Sequence, residues 1–317
     1  MVGNEKAIPA FAPFILEDVE INQHFEEFIL TDKPANEAYS QDDTIPQTAE
    51  YWFAEAIAAY FYNHCDIAIK YLNTVIELDP NYTDAYSLMG AIYAEEMQDY
   101  EKAIEYFNKA MELDPNEPML YCALGDCYIK GRNDYEKAIE YFNKALELSP
   151  NHTEAHRNLA DAYKEGRKNY DKTIEYYSRE IELNPNDAEA YLALGDAYKE
   201  GREDYEKATE YYNKATECYN RKIEHYNREI ELDPNDASAY LLLGDAYAKG
   251  VKDYNKAIEC YNKVLELDPN FGYAYDGLGY VYLELGNRDK AIEYFIEAAK
   301  MRCRDSQRWL RSNNITW

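Results

Sequence analysis

The residues of this chain whose types and spacing could do chemistry are few. His152, Glu154 and His156 form the one tempting metal triplet. A bound divalent ion wants such donors to converge on one point. His156, however, stands where other copies of a recurring segment carry a packing aromatic, so the triplet reads as structural and no metal is expected. The six cysteines, Cys65, Cys122, Cys127, Cys218, Cys260 and Cys303, include no Cys-x-x-Cys pair. They read as reduced thiols of a cytoplasmic protein, not as a disulfide or zinc framework. No glycine-rich phosphate loop follows a strand pattern, and no serine elbow or Cys/His dyad is recognisable. Catalysis needs convergent groups in a closed pocket. The chain is therefore expected not to be an enzyme and to need no cofactor.

Charge narrows the partners. There are 61 acidic against 33 basic residues, a net charge of −28. That argues against gripping nucleic acid through its phosphates, which needs concentrated positive charge, and favours cationic partners. No stretch approaches the roughly 18–20 apolar residues of a membrane helix. The apolar residues before Phe14 are interrupted by Pro9 and Pro13 and lack a basic leader, so no signal peptide is expected.

The elements that position these groups repeat. The tetrapeptide Glu-Leu-Asp/Ser/Asn-Pro recurs with its prolines at Pro80, Pro115, Pro150, Pro185, Pro234 and Pro269. The steps are 35 residues, except for 49 between Pro185 and Pro234. Within each step, apolar and small residues fall three or four apart in two runs, which is the helical period. Gly131, Gly166, Gly201 and Gly250 sit between the runs and suit left-handed helix C-caps. Asp99, Asp134, Asn169, Asp204 and Asp253 follow as N-caps. Proline closes the second run because it cannot continue the helix. Each unit is therefore predicted to be helix, turn, helix, turn. Most of the 34 tyrosines fall at recurring slots and read as packing between helices.

This pattern resembles the tetratricopeptide repeat family, which runs aromatic, Leu-Gly, Tyr, Ala, aromatic, Ala, Pro. It appears here as Tyr86, Met89, Gly90, Tyr93, Ala103, Phe107, Ala110 and Pro115, and again as Tyr240, Leu243, Gly244, Tyr247, Ala257, Tyr261 and Pro269. A 35-residue step, one longer than the family norm, is similar to Sel1-like repeats. The resemblance implies an all-α, right-handed superhelical solenoid of about seven helix-turn-helix units over residues 49–301. A non-repeat arm or cap would cover residues 1–48, with an amphipathic helix over Ile15–Leu30, and a basic tail or cap residues 302–317.

The resemblance also implies that the first helices of successive units line a concave groove that binds protein segments. The residue after the packing glycine then faces that groove. In four consecutive units it is Asp126, Asp161 (after Ala160, which stands in the glycine's place), Asp196 and Asp245, with Glu154 and Glu189 about two turns earlier. Stacked like charges repel, so a cation nearby relieves them. The expected function is a non-catalytic scaffold or adaptor in a larger complex, holding a Lys/Arg-rich partner segment in an acidic groove. The alternative is a regulatory or inhibitory subunit that covers a basic or nucleic-acid-binding surface of an enzyme.

Two further features are individual. The 14 residues added before Pro234 copy one heptad twice, and 14 residues make nearly four turns. One helix is predicted over residues 204–232, with Tyr219, Ile223 and Tyr226 on an apolar stripe that neighbours are too short to cover. That stripe serves as a docking or homo-oligomer surface, or packs privately on its own chain. The tail carries Arg302, Arg304, Arg308, Trp309 and Arg311. It is a capping helix, or it folds into an acidic groove, or it meets an acidic partner.

Overall fold

The computed structural model describes residues 48–61, 64–301 and 303–317. The helix expected over Ile15–Leu30 and the tail residue Arg302 lie outside them. Among the described residues there are fifteen α-helices and no strand. The pairs are α1 (Ala49–Phe61) with α2 (Cys65–Leu78), α3 (Thr83–Glu95) with α4 (Tyr100–Leu113), and α5 (Pro118–Arg132) with α6 (Tyr135–Leu148). Then come α7 (Thr153–Arg167), α8 (Tyr170–Leu183), α9 (Ala188–Arg202) and the long α10 (Tyr205–Leu232). After them, α11 (Ala237–Asp245) runs into a π-helical segment, Ala246–Val251, and precedes α12 (Tyr254–Leu267). Last are α13 (Gly272–Glu284), α14 (Arg288–Lys300) and α15 (Arg304–Ser312). The chain forms two compact bodies that divide between Lys172 and Thr173.

Local chemistry explains where the helices start. Asp99, Asp134, Asp204, Asp253 and Asn287 each accept a hydrogen bond from the backbone N–H three residues on, at 3.0–3.2 Å. Each satisfies one of the donors a helix N-terminus leaves unpaired, worth about 1 kcal/mol. The Asp-Pro-Asn turns close the same way: Asp79, Asp114, Asp233 and Asp268 accept from the N–H two residues later at 2.9–3.0 Å. The first aromatic of a unit then ties back to that turn. Tyr86 and Tyr121 donate their hydroxyls to the Pro80 and Pro115 carbonyls at 3.1 and 3.0 Å. His156 makes the same contact, its Nε2 lying 2.9 Å from the Pro150 carbonyl.

Packing within a unit rests on a glycine in the first helix and a ring in the second. A Cβ on Gly90 would come within 2.7 Å of the Phe107 ring, and one on Gly279 within 2.5 Å of the Phe295 ring. Phe107, Phe142 and Phe295 are almost wholly buried. Eight further tyrosines stack in pairs between helices: Tyr93 on Tyr106, Tyr128 on Tyr141, Tyr198 on Tyr211 and Tyr282 on Tyr294, with centroids 5.3–5.4 Å apart.

Two expectations are corrected. The left-handed C-cap residues are Asn133, Lys168, Glu203 and Lys252, two positions after the glycines. Gly131, Gly166 and Gly250 instead lie inside the helical turns, where they pass over Tyr100, Tyr135 and Tyr219. A Cβ on Gly131 would stand 2.6 Å from the Tyr100 Cβ. Glycine is there to let a first helix lie flat on the preceding second helix, not to turn the chain. The other correction concerns α10. Its stripe is not uncovered at Tyr219, which is 4% exposed. Tyr219 packs with Ala188 of α9, Cys218, Ala246 and Ile223, and Gly250 passes over its ring. Ile223 and Tyr226 are half-buried.

Candidate protein-binding surface

In the first body, α3, α5 and α7 bring four carboxylates near one another. These are Glu95, Asp126, Glu154 and Asp161. The Asp126 carboxyl is pushed from 3.8 to about 6. Burial is the main cause. Lys130, 3.8 Å away, opposes it, and the charges of Glu154, Asp161 and Glu95 add to it. Burial likewise raises the Glu154 carboxyl, with Arg157 and Lys130 opposing. Glu95 accepts the Tyr60 hydroxyl at 2.9 Å. Glu95 was not foreseen, because the equivalent position holds Lys130 in the next unit.

The same surroundings set a pH dependence. An acid raised in the folded state makes the fold relatively more stable as pH falls from about 7 through 6 toward 4, because the folded chain takes up the proton first. Asp126→Asn is expected to stabilise the chain at pH 7 and to lose that gain by pH 4. The Asp126 side chain is still 38% exposed, so solvent screens part of the effect. Urea unfolding at the two pH values checks this. A gain equal at both, or none at pH 7, contradicts it.

In the second body the corresponding aspartates hold tyrosines of their own units. Asp196 accepts the Tyr212 hydroxyl at 2.7 Å and Asp245 the Tyr261 hydroxyl at 2.6 Å. Burial, then Asp245, lifts the Tyr261 phenol far above its ordinary range. In these two units the aspartate after the glycine accepts the hydroxyl of the packing tyrosine, whereas Asp126, after Gly125, faces Phe142, a ring that needs no acceptor. Lys249 also lies 3.7 Å from Asp245. Glu189 is exposed in the first turn of α9. Asp276 on α13 is an acid that sequence reasoning missed. Its carboxyl is pushed up to about 6, by burial first, while the Ser306 hydroxyl that donates to it works the other way. Its slot holds Cys122 and Leu241 in other units, so no periodic signal marks it.

The basic tail is helical and lies on the last unit. Leu310 and Ser306 of α15 are fully buried. Trp309 packs on Phe295 with centroids 4.5 Å apart, and Arg288 lies over its indole at 5.6 Å. Arg308 pairs with Asp305 at 3.5 Å, and Arg311 lies over Trp317. Arg304 opens the helix.

His152 accepts the Ala155 N–H through Nδ1 at 3.3 Å, so both rings of the His152/Glu154/His156 triplet have backbone partners. Among the described residues no group of three or more His, Cys, Asp and Glu side chains is placed to hold a metal. No helix there is long and apolar enough to cross a membrane.

Family models described as tetratricopeptide repeat match residues 82–151, 152–221 and 273–302, and one described as TPR repeat matches 252–286. The chain belongs to the tetratricopeptide repeat family, a class of protein-interaction scaffolds that is typically non-catalytic. No curated protein sequence matches it. Among solved structures it is similar to yeast Tom70, with 21% identity, 91% of this chain and 57% of that one covered, and a TM-score of 0.51. It is also similar to MamA residues 41-end from Desulfovibrio magneticus RS-1, at 22% identity, 55% and 97% coverage and a TM-score of 0.49. A third is PilF of Pseudomonas aeruginosa, at 21% identity, 70% and 92% coverage and a TM-score of 0.48. At these identities the likeness concerns the fold alone.

Proposed function

We propose that this chain is an adaptor that holds a Lys/Arg-rich segment of a partner protein against the acidic first-helix positions Asp126, Asp161, Asp196 and Asp245, with Glu154 and Glu189 beside them. The observation that carries this reading is Asp126, a carboxylate disfavoured by burial and by three neighbouring acids. A cation brought there relieves the repulsion, so binding and ionisation support each other. Lys130 and Lys249 offset part of the charge only from exposed, flexible stems. Six cysteines that form no disulfide, five of them buried, fit a reducing compartment such as the cytoplasm. Residues 1–48 and 302–317 are read as the caps that a repeat array needs at its ends.

The test is affinity capture with mass spectrometry, wild type beside a variant with Asp126, Asp161, Asp196 and Asp245 all changed to Asn. Asparagine keeps the size and the ability to accept the Tyr212 and Tyr261 hydroxyls. A partner retained by wild type and lost by the variant, and released by salt, is the expected result. Equal capture by both proteins rejects the acidic surface as the site.

A further inference from the structure

The first helix α5 is buried on every side over two turns. Met119 to Gly125 are seven consecutive buried residues. In α9, α11 and α13 of the second body no more than two consecutive residues are buried. Leu120, Ala123, Leu124 and Cys127 account for one side of α5, in a cluster with α4. Met119, Cys122 and Asp126 lie on another, three or four residues apart along one stripe. Met119 is 7% and Cys122 1% exposed. In the three first helices of the second body the slot of Met119 is exposed, at Glu189, Ser238 and Tyr273. The slot of Cys122 is only half-buried there, at Leu192, Leu241 and Asp276. Neighbouring helices do not account for the difference. Helix α5 packs on α6 and α4 and beside α3 and α7, much as α11 packs on α12 and α10 and beside α13. A helix closed all round is covered by one more layer.

The first body starts at Met1, so residues 1–47 are the part of it beyond the described helices. Their sequence suits an apolar cover. Ile21, Phe25, Phe28 and Ile29 stand at i, i+4, i+7 and i+8, which is one face of a helix. The chain is long enough. From Ile29 to the first described residue, Thr48, an extended chain reaches on the order of 60 Å. The distance from α1 to α5 is about 20 Å, two layers of helices about 10 Å apart.

We propose that the apolar face of this N-terminal arm, Ile21, Phe25, Phe28 and Ile29, lies over Met119 and Cys122 and closes the acidic face of α5 until a partner segment displaces it. The displacement rests on the adaptor reading, whereas the cover does not. Ring contacts hold the arm, not charge, because residues 1–47 carry ten acidic against two basic residues and lie over an acidic face. Salt screens that repulsion and therefore does not release the arm, the reverse of its effect on a Lys/Arg-rich partner.

The experiment labels the thiols of the full chain with a maleimide and follows each by mass spectrometry, with half-buried Cys65 as the reference. Cys122 of wild type is expected to react slowly. Phe25→Ser/Phe28→Ser speeds its labelling about tenfold or more, because a local cover no longer has to open. Cys127, buried on the α4 side, stays protected in that variant, and Phe25→Leu/Phe28→Leu keeps Cys122 protected. Equal protection of Cys122 in wild type and the serine pair overturns the proposal. So does opening of Cys122 and Cys127 together, which means that the whole body loosens. Protection that falls when wild type is diluted also overturns it, making a second copy the cover. An oligolysine peptide is expected to bind the serine pair more tightly than wild type, and equal binding shows that the arm does not close the face. Binding to neither chain removes the adaptor reading and the displacement with it, while the thiols alone judge the cover.

Discussion

Excising residues 219–232 lowers the stability of the second body by several kcal/mol, about 3–5, even though it restores the 35-residue step and leaves an intact turn before Pro234. An ordinary second helix packs two ways. In α4, Ala103, Phe107 and Ala110 are fully buried in the core, with Phe107 against Gly90 of its own first helix. Tyr100 meets Gly131 of the next unit, and Ile104 is buried beside it. The helix α10 divides these tasks between its halves. Ala208, Tyr212 and Ala215 serve α9, but the positions of Ile104 and Met111 hold Thr209 and Thr216. Thr209 is exposed, and both threonines turn their hydroxyls back to the helix carbonyls of Tyr205 and Tyr212. Tyr205, the equivalent of Tyr100, is 63% exposed. In the second half the order reverses. Tyr219, Ile223 and Ile230 take the sites of Tyr100, Ile104 and Met111, while Lys222 and Glu229 replace the small residues that would face α9.

The shortened chain would thus bring two threonines against α11 where isoleucine and leucine belong. Adding Thr209→Ile and Thr216→Leu to the deletion restores about 1–2 kcal/mol per site through burial of apolar surface. The same pair in the full chain shifts stability by no more than about 0.5 kcal/mol, since Thr209 stays exposed and Thr216 is already half-buried there. Urea unfolding of the four proteins decides it. Equal benefit in both backgrounds, or a deletion as stable as the full chain, shows that the halves are not specialised.

Phe142→Ala costs the first body about 3–5 kcal/mol, because a fully buried ring leaves a cavity the helices cannot close. Gly125→Ala costs about 1–3 kcal/mol through overpacking, as its new methyl would sit within 2.7 Å of Phe142 Cζ. The two are coupled. With Phe142 already gone the methyl has room, and alanine is the better helix former by about 1 kcal/mol, so Gly125→Ala becomes neutral or stabilising in that background. A double-mutant cycle measures the coupling. Strictly additive costs would mean that ring and glycine do not share the space between α5 and α6.

Much of this architecture was legible in the residues. Repeat spacing, the Asp-before-Tyr starts and the proline stops act through contacts within a few residues, so they mark helices such as α4, α6 and α12 without knowledge of the fold. The 28-residue α10 follows from the heptads because a helix propagates along its own hydrogen bonds. The role of His156 was visible from its slot. What the residues alone did not decide is which neighbour each face meets. Gly131 looked like a chain-turning glycine because the ring it passes over, Tyr100, belongs to the preceding unit. Tyr219 looked uncovered because the 14-residue shift of α11 along α10 shows only once the helices are docked. Asp196 and Asp245 looked like free groove charges, but hydroxyls sixteen residues away claim them. Asp276 and Ser306 meet only when α15 folds back on α13. Local period and capping chemistry therefore determined the elements, whereas the tertiary structure decided which side chains are spent on packing and which remain for a partner, because burial is set by the helix that arrives from elsewhere in the chain.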